Sequence, residues 1–377
     1  MMRQEQGRKK VYFISGGGTG GHIYPAVTIA DELLTHEDTE KIYYVGNPKN
    51  LEYEIIKSKP QIEFLPVNVA GMPRKISFQF LKWVFDLELS IWKSLFYIFK
   101  YQPDAIFTTG GYVSAPIAFA AIILRTPFMI HDCDAHPGLV SQHVAPFARC
   151  VSVAFESSSE MLNSEKIVCN GNPIRKSFDA ISKQEARKIL NLQDKFTVIG
   201  MGGSQGAMTI NDALVGVAQE LTEKMDIQLI IQTGKKNYEE VIKKFEESFP
   251  NYIENKNLLI KPYFDDMSIP LKAADVAIAR AGSVSLSEIN ACALASILVP
   301  YPHAAADHQR KNAKKMSEKG ASFCLEDSEC NKDNLMDKLK TLINNPEILA
   351  EMGEASKNLA KMDSTESIIT QLKSIIR

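Results

Sequence analysis

Val11-Tyr12-Phe13-Ile14-Ser15-Gly16-Gly17-Gly18-Thr19-Gly20-Gly21-His22-Ile23-Tyr24-Pro25-Ala26 decides the fold class. A β-branched and aromatic run ends in a glycine-rich turn, and an amphipathic stretch follows, which is a strand feeding a helix. Glycines there let the backbone approach a phosphate and turn its N–H groups toward it, and the helix N-terminus adds a partial positive charge. Gly16, Gly18 and Gly21 satisfy GxGxxG, so a nicotinamide enzyme is one reading. That reading expects an acidic residue closing the second strand to hold a ribose, but this strand ends Tyr44-Val45-Gly46-Asn47. A tight strand-to-helix turn with no ligand is the plainer alternative.

The pattern restarts in the second half, where Thr197–Met201 runs into Gly202-Gly203-Ser204-Gln205-Gly206-Ala207. A third loop, Thr109-Gly110-Gly111-Tyr112-Val113-Ser114, opens the apolar stretch Ala115–Leu124. Apolar runs at Val11–Ser15, Lys41–Val45, Ile62–Val67, Ala105–Thr109, Phe128–His131, Cys150–Phe155 and Lys166–Cys169 predict the strands of one domain. Those at Thr197–Met201, Gln228–Gln232, Leu258–Lys261, Val276–Ala279, Ser296–Val299 and Ser322–Leu325 predict a second. Helical stretches alternate with them, so the fold class is α/β, with two doubly wound Rossmann-like domains facing across a cleft. Gly171-Asn172-Pro173 suits a hinge, which puts the domains at 1–173 and 174–360. The stretch after Asn344 is helical by its spacing of Ile368, Ile369, Leu372, Ile375 and Ile376, and its last part, 361–377, is expected to complete the first domain.

Composition excludes several classes. A chain of 377 residues with 45% hydrophobic and 23% charged residues, at net charge -2, is globular and has no nucleic-acid partner implied. Its 6 cysteines lack CxxC spacing, and the chain opens on polar and basic residues, so the thiols read as reduced and cytosolic. The longest apolar run, Ala115–Leu124, falls well short of the roughly 20 residues that span a bilayer.

Read in order, GGGTGGHIYPA (16–26), TTGGYVSAP (108–116), HDCDAHPGLVS (131–141), GNPIR (171–175), GGSQGA (202–207), YFDDM (263–267), RAGSVSLSE (280–288) and DHQRKNA (307–313) resemble the MurG family, the peptidoglycan UDP-N-acetylglucosamine transferases of bacteria. The resemblance implies a GT-B fold and an inverting transfer of N-acetylglucosamine from UDP-GlcNAc to the 4-hydroxyl of the MurNAc sugar of lipid I. Lipid I is an undecaprenyl-diphosphate-linked MurNAc-pentapeptide, and the product is lipid II. It further implies a peripheral enzyme on the cytoplasmic face of the plasma (inner) membrane, a role in cell shape and division, and contact with other cell-wall synthesis proteins. No cofactor or metal is expected, since UDP-GlcNAc is a substrate. Alternatives are another GT-B transferase with a lipid acceptor, a UDP-sugar epimerase, and a UDP-sugar-binding sensor.

The same resemblance assigns donor contacts to Arg175, Ser204, Phe264, Ser283, Val284, Ser285, Glu288 and Gln309. Glu288 would accept from the ribose hydroxyls, the backbone at Phe264 would meet the uracil edge, and Gln309 would hold sugar hydroxyls. The N–H groups of Ser283–Ser285, with Ser204 and Arg175, would take the diphosphate. Thr19, Gly20, Gly21 and Asp134 complete the donor set, and Gly18, Gly20, Gly21, Gly110, Gly111 and Tyr112 are expected at the acceptor's diphosphate. His22, with an ordinary imidazole pKa of about 6.5, is the candidate general base, and Asp134 is the alternative. The chain departs from the family where an asparagine is replaced by Asp134; the resulting Asp132-Cys133-Asp134 spells the DxD of metal-dependent transferases. A metal is discounted there, because the segment follows a strand of the first half while the donor diphosphate is expected on the second.

Residues 74–101 are unusually aromatic. Phe78, Phe80, Trp83 and Trp92 interleave with Arg74, Lys75, Lys82 and Lys93, a pattern suited to an anionic membrane surface, and Asp86 and Glu88 argue against spanning. A core helix with snorkelling lysines is the bland alternative.

Overall fold

The computed structural model describes residues 8–73, 78–203, 205–304 and 307–376. Ser204, Arg74 and Lys75 lie outside the described residues. The chain forms two compact units: residues up to Pro173 together with those from Asp363 onward, and Ile174–Met362. The C-terminal segment therefore joins the first unit two residues later than its sequence pattern indicated. Its helical stretch is two helices, Pro346–Leu359 in the second unit and Ser364–Ser374 in the first.

The first unit carries a seven-stranded parallel sheet in the order β3-β2-β1-β4-β5-β6-β7. The strands are β1 (Lys10–Ser15), β2 (Thr39–Gly46), β3 (Ile62–Pro66), β4 (Ala105–Thr108), β5 (Phe128–Asp132), β6 (Cys150–Val153) and β7 (Ile167–Cys169). Helices cover both faces, so the central strands read as unbroken apolar runs rather than alternating ones. Tyr12, Phe13 and Ile14 of β1 are all fully buried. The helices that matter for function are α1 (Gly20–Leu34), α2 (Leu51–Lys57), α3 (Phe78–Tyr101) and α4 (Gly111–Leu124).

In the second unit a six-stranded parallel sheet runs β10-β9-β8-β11-β12-β13. It comprises β8 (Thr197–Met201), β9 (Gln228–Gln232), β10 (Leu258–Lys261), β11 (Val276–Ala279), β12 (Ala295–Leu298) and β13 (Ser322–Cys324). In each sheet the strand order reverses beside its first strand, between β1 and β4 and between β8 and β11. Ligands of doubly wound sheets bind at the carboxyl ends of strands at that reversal. The glycine loops after β1, β4 and β8 all sit there.

Ser364–Ser374 closes the first unit. Ile368, Ile369 and Leu372 enter the same core as Tyr12, Ile23, Ile29 and Met129. Ser364 donates to the Asn172 carbonyl at 2.7 Å, and Gln371 and Asn170 exchange hydrogen bonds at 2.9 and 3.0 Å.

Candidate functional site

In the first unit, the loop Gly16–Thr19 leads into α1, whose start is fixed from two directions. Thr109 Oγ1 donates to the His22 carbonyl at 2.6 Å, tying the β4–α4 turn to α1. Thr19 Oγ1 and His22 Nδ1 share a hydrogen bond of 3.0 Å, which orients the imidazole. A Cβ on Gly111 would lie 3.4 Å from the His22 ring, and one on Gly110 would lie 4.0 Å from it. Thr19, Gly20, Gly21, His22, Gly110 and Gly111 are thus one cluster. Tyr112 joins them across Gly18: a Cβ on Gly18 would be 2.6 Å from Tyr112 Cε1, and its φ of +88° also demands glycine. The Gly18 N–H, however, points to Glu52 Oε2 at 3.5 Å, inward rather than toward a ligand.

Asp132 and Asp134 do not behave as a pair. Asp132 is buried, and its two oxygens accept from the N–H groups of Asp134 (3.2 Å) and Gly138 (3.3 Å), shaping the loop. Burial pushes its carboxyl up to about 6 against the Ser141 hydroxyl, which lowers it, with Asp134 pushing the same way as burial. Asp134 is only partly buried, and its carbonyl accepts from Ser158 at 2.6 Å. Among the described residues no three His, Cys, Asp or Glu side chains are grouped to hold a metal ion. His131, next to Asp132, is fully buried between Ser152 Oγ (2.8 Å) and Asn172 Oδ1 (3.2 Å), and burial depresses it to about 4.

Sequence reasoning passed over Asp132 and Glu52 as site residues. Asp132 sat in view inside the discounted DxD. Glu52 gave no signal: an acidic residue in the first turn of a helix is ordinary, and only the fold buries it.

In the second unit, Arg175 and Glu288 are brought together, with Arg175 Nη2 3.2 Å from Glu288 Oε1. Arg175 Nη1 also donates to the Asp265 carbonyl at 3.3 Å and lies 3.8 Å from Asp266 Oδ1. Burial raises the Glu288 carboxyl, and Arg175 opposes that shift. Glu288 shares its helix, Ser283–Ala291, with the Ser283–Ser285 start that follows Gly282. At Phe264 the backbone N–H is already engaged, donating to Gln232 Oε1 at 2.8 Å, while the ring is buried. Gln309 stands in a separate contact, accepting from the Tyr301 N–H at 3.0 Å. The loop after β8 depends on Gly206, where a Cβ would lie 2.1 Å from the Thr233 carbonyl oxygen.

α3 buries few side chains, chiefly Ser90, Ser94 and Ile98, whose sizes let it approach the alanine-rich α4 closely. Its outer face is apolar: Phe78, Phe85, Trp92, Phe96 and Phe99 are exposed by 83, 66, 64, 57 and 78%. Trp83, in contrast, is half-buried, with its indole N–H on the Ala70 carbonyl at 2.8 Å and Phe80 packed beside it. Among the described residues no helix is long and apolar enough to cross a membrane.

The chain matches the glycosyltransferase family 28 N-terminal domain over residues 12–153 and its C-terminal domain over residues 197–368. It is 35% identical over 366 residues, 97% of this chain and 99% of the relative, to the UDP-N-acetylglucosamine--N-acetylmuramyl-(pentapeptide) pyrophosphoryl-undecaprenol N-acetylglucosamine transferase of Thermoanaerobacter sp. (strain X514). The crystal structure of Acinetobacter baumannii MurG superposes with a TM-score of 0.72 at 24% identity, covering 97% of this chain and 99% of that one. A UDP-GlcNAc 2-epimerase from Neisseria meningitidis has the same architecture at 14% identity, with a TM-score of 0.66 and coverage of 97% and 100%. Architecture alone therefore does not separate transferase from epimerase, whereas identity along nearly the whole length does. The chain belongs to glycosyltransferase family 28, among its UDP-N-acetylglucosamine-dependent N-acetylglucosamine transferases of the MurG type.

Proposed function

We propose that this protein transfers N-acetylglucosamine from UDP-GlcNAc to the 4-hydroxyl of the N-acetylmuramoyl sugar of undecaprenyl-diphosphate-linked lipid I, forming lipid II in peptidoglycan synthesis. The observation that carries this reading is the 35% identity to a curated transferase of that activity over 97% of the chain.

The reaction is a single displacement. The acceptor O4 attacks C1 of the donor sugar as the C1–O bond to UDP breaks, so the configuration at C1 inverts. His22, oriented by Thr19, takes the O4 proton as general base. Gly20, Gly21, Gly110, Gly111 and Tyr112 surround it and receive the acceptor's diphosphate, with α1 and α4 both pointing their N-termini at that charge. The donor diphosphate, which becomes the leaving group, lies at the start of the Ser283–Ala291 helix, within reach of Arg175. Glu288 accepts from the ribose hydroxyls, held in place by Arg175. Because the Phe264 N–H is taken by Gln232, the Phe264 carbonyl is the group left to pair with the uracil edge. Gln309 and Asp134 contact sugar hydroxyls, and no metal takes part.

The exposed face of α3 lies in the membrane interface. Val84, Trp92, Phe96 and Phe99 with Ile123 and Leu124 of α4 line an open apolar groove of about 900 Å³ that also includes Glu88, and Lys82 and Lys93 of the same helix supply cations for anionic headgroups. The enzyme is thereby peripheral at the membrane face where its lipid acceptor is presented.

Radiolabelled UDP-GlcNAc incubated with a lipid I analogue, with and without a chelator, tests both parts. Label appears in the lipid product at the same rate in both samples. Absence of label from both samples refutes the activity, and label that appears only without chelator refutes the metal-free mechanism.

A further inference from the structure

Beneath the two glycine loops of the first unit lies a set of contacts that the transfer chemistry does not use. Glu52 is fully buried in the first turn of α2. Its carboxylate accepts from the Asn47 N–H (3.2 Å), from Asn50 Nδ2 (3.2 Å) and, at 3.5 Å, from the Gly18 N–H. Asn50 Nδ2 also donates to the Tyr112 hydroxyl at 3.2 Å, and the Tyr112 ring covers Gly18. On the other side, the buried Tyr44 hydroxyl donates to the Gly16 carbonyl at 2.5 Å. A Cβ on Gly17 would fall 2.6 Å from Glu52 Oε1, so loop and carboxylate are in direct contact. Burying a carboxylate is costly, and three N–H donors offset that cost only if their geometry is kept.

The acid that a dinucleotide-binding fold places at the end of β2 is thus present five residues after Asn47, but it grips the loop instead of a ribose. We infer that Glu52 is a positioning residue for the acceptor: it turns the Gly18 N–H inward and, through Asn50, holds Tyr112, so both glycine loops present one fixed shape. This inference rests on the acceptor assignment made above.

Steady-state kinetics of Glu52→Ala, Glu52→Gln and Asn50→Ala, with lipid I analogue and UDP-GlcNAc varied separately, test it. Glu52→Ala raises the acceptor KM by about tenfold or more, the scale on which lost positioning acts, and leaves the donor KM within about twofold. Glu52→Gln, which keeps one acceptor oxygen, restores part of the loss. Asn50→Ala, which leaves the carboxylate in place, shows the same split to a smaller extent and serves if Glu52→Ala does not fold. An unchanged acceptor KM in a folded Glu52→Ala, or in Asn50→Ala should Glu52→Ala not fold, overturns the inference. So does a donor KM that rises in step, which marks a purely structural role. If the wild-type protein transfers no label, the proposed function fails and the inference falls with it.

Discussion

His131 and Asp132 are consecutive and buried, and burial moves them in opposite directions, to about 4 and about 6. Between those values the unfolded chain carries the proton on histidine, and the folded chain carries it on aspartate. The number of bound protons is the same in both states, so this pair contributes no pH dependence to stability across the window. Removing either partner exposes the other. In Asp132→Asn, the depressed His131 remains, and its stabilisation is lost as pH falls from 6.5 toward 4, so stability rises with pH by about 1.4 kcal/mol per unit relative to wild type. In His131→Gln, the raised Asp132 remains, and stability falls with rising pH between 3.8 and 6 by a similar slope. Urea titrations at several pH values measure both, and pH slopes of the same sign in the two variants contradict the assignment. At the neighbouring His22, replacement by alanine lowers turnover at saturating substrates by about 10²-fold or more if it is the general base. Retention of most of the wild-type turnover refutes that role. Of these residues His22 was legible in the sequence because a motif frames it. His131, Asp132 and Glu52 were not, since their behaviour comes from burial, which depends on what the rest of the chain places around them.

At the level of elements, the strands were the most legible part. The central strands are buried on both faces, so their apolar runs are continuous and their ends are marked by glycine or by the turn that follows, as at Thr197–Met201 before Gly202, whereas the edge strands Ile62–Pro66, Ile167–Cys169 and Leu258–Lys261 are only partly buried. The helices told less. α3 was readable as aromatic, but not which rings pack: Phe80 and Trp83 are partly buried, whereas Phe85, Trp92 and Phe96 face outward. Membrane contact is therefore tested at the outward set. Phe85→Ser with Trp92→Ser weakens partition onto anionic vesicles by about 10²-fold or more, from the loss of roughly 1.5–3 kcal/mol of burial per ring, while the far-UV spectrum is kept. Unchanged vesicle binding counts against the interface. At the first glycine loop, Gly18→Ala meets both a positive φ and the Tyr112 ring, and it raises the acceptor KM more than the donor KM. An equal rise in both contradicts the acceptor assignment of this loop.

Across the whole molecule, the boundary after Gly171-Asn172-Pro173 was visible from its residue types, and the two-fold recurrence of strand, glycine loop and helix announced two sheets. The fate of the C-terminal helix was not settled by its pattern, because an amphipathic helix fits any apolar face of matching width. Its docking is decided by particular partners: Ser364 on the Asn172 carbonyl, Gln371 on Asn170, and Leu372 in the core under β1. Leu372→Ala destabilises the first unit by about 2–5 kcal/mol, and, with the donor site proposed above on the second unit, the thermal transition protected by UDP stays in place. A shift of the UDP-protected transition instead contradicts that division. The bond from Ser364 to Asn172 spans 192 residues of sequence. During synthesis at about 5–20 residues per second, Ser364 therefore follows Asn172 by roughly 10–40 s. The second unit is continuous in sequence and can assemble within that delay, while the unit that begins first is the one completed last. Its exposed core in the interval makes it the part of the nascent chain most dependent on protection from aggregation.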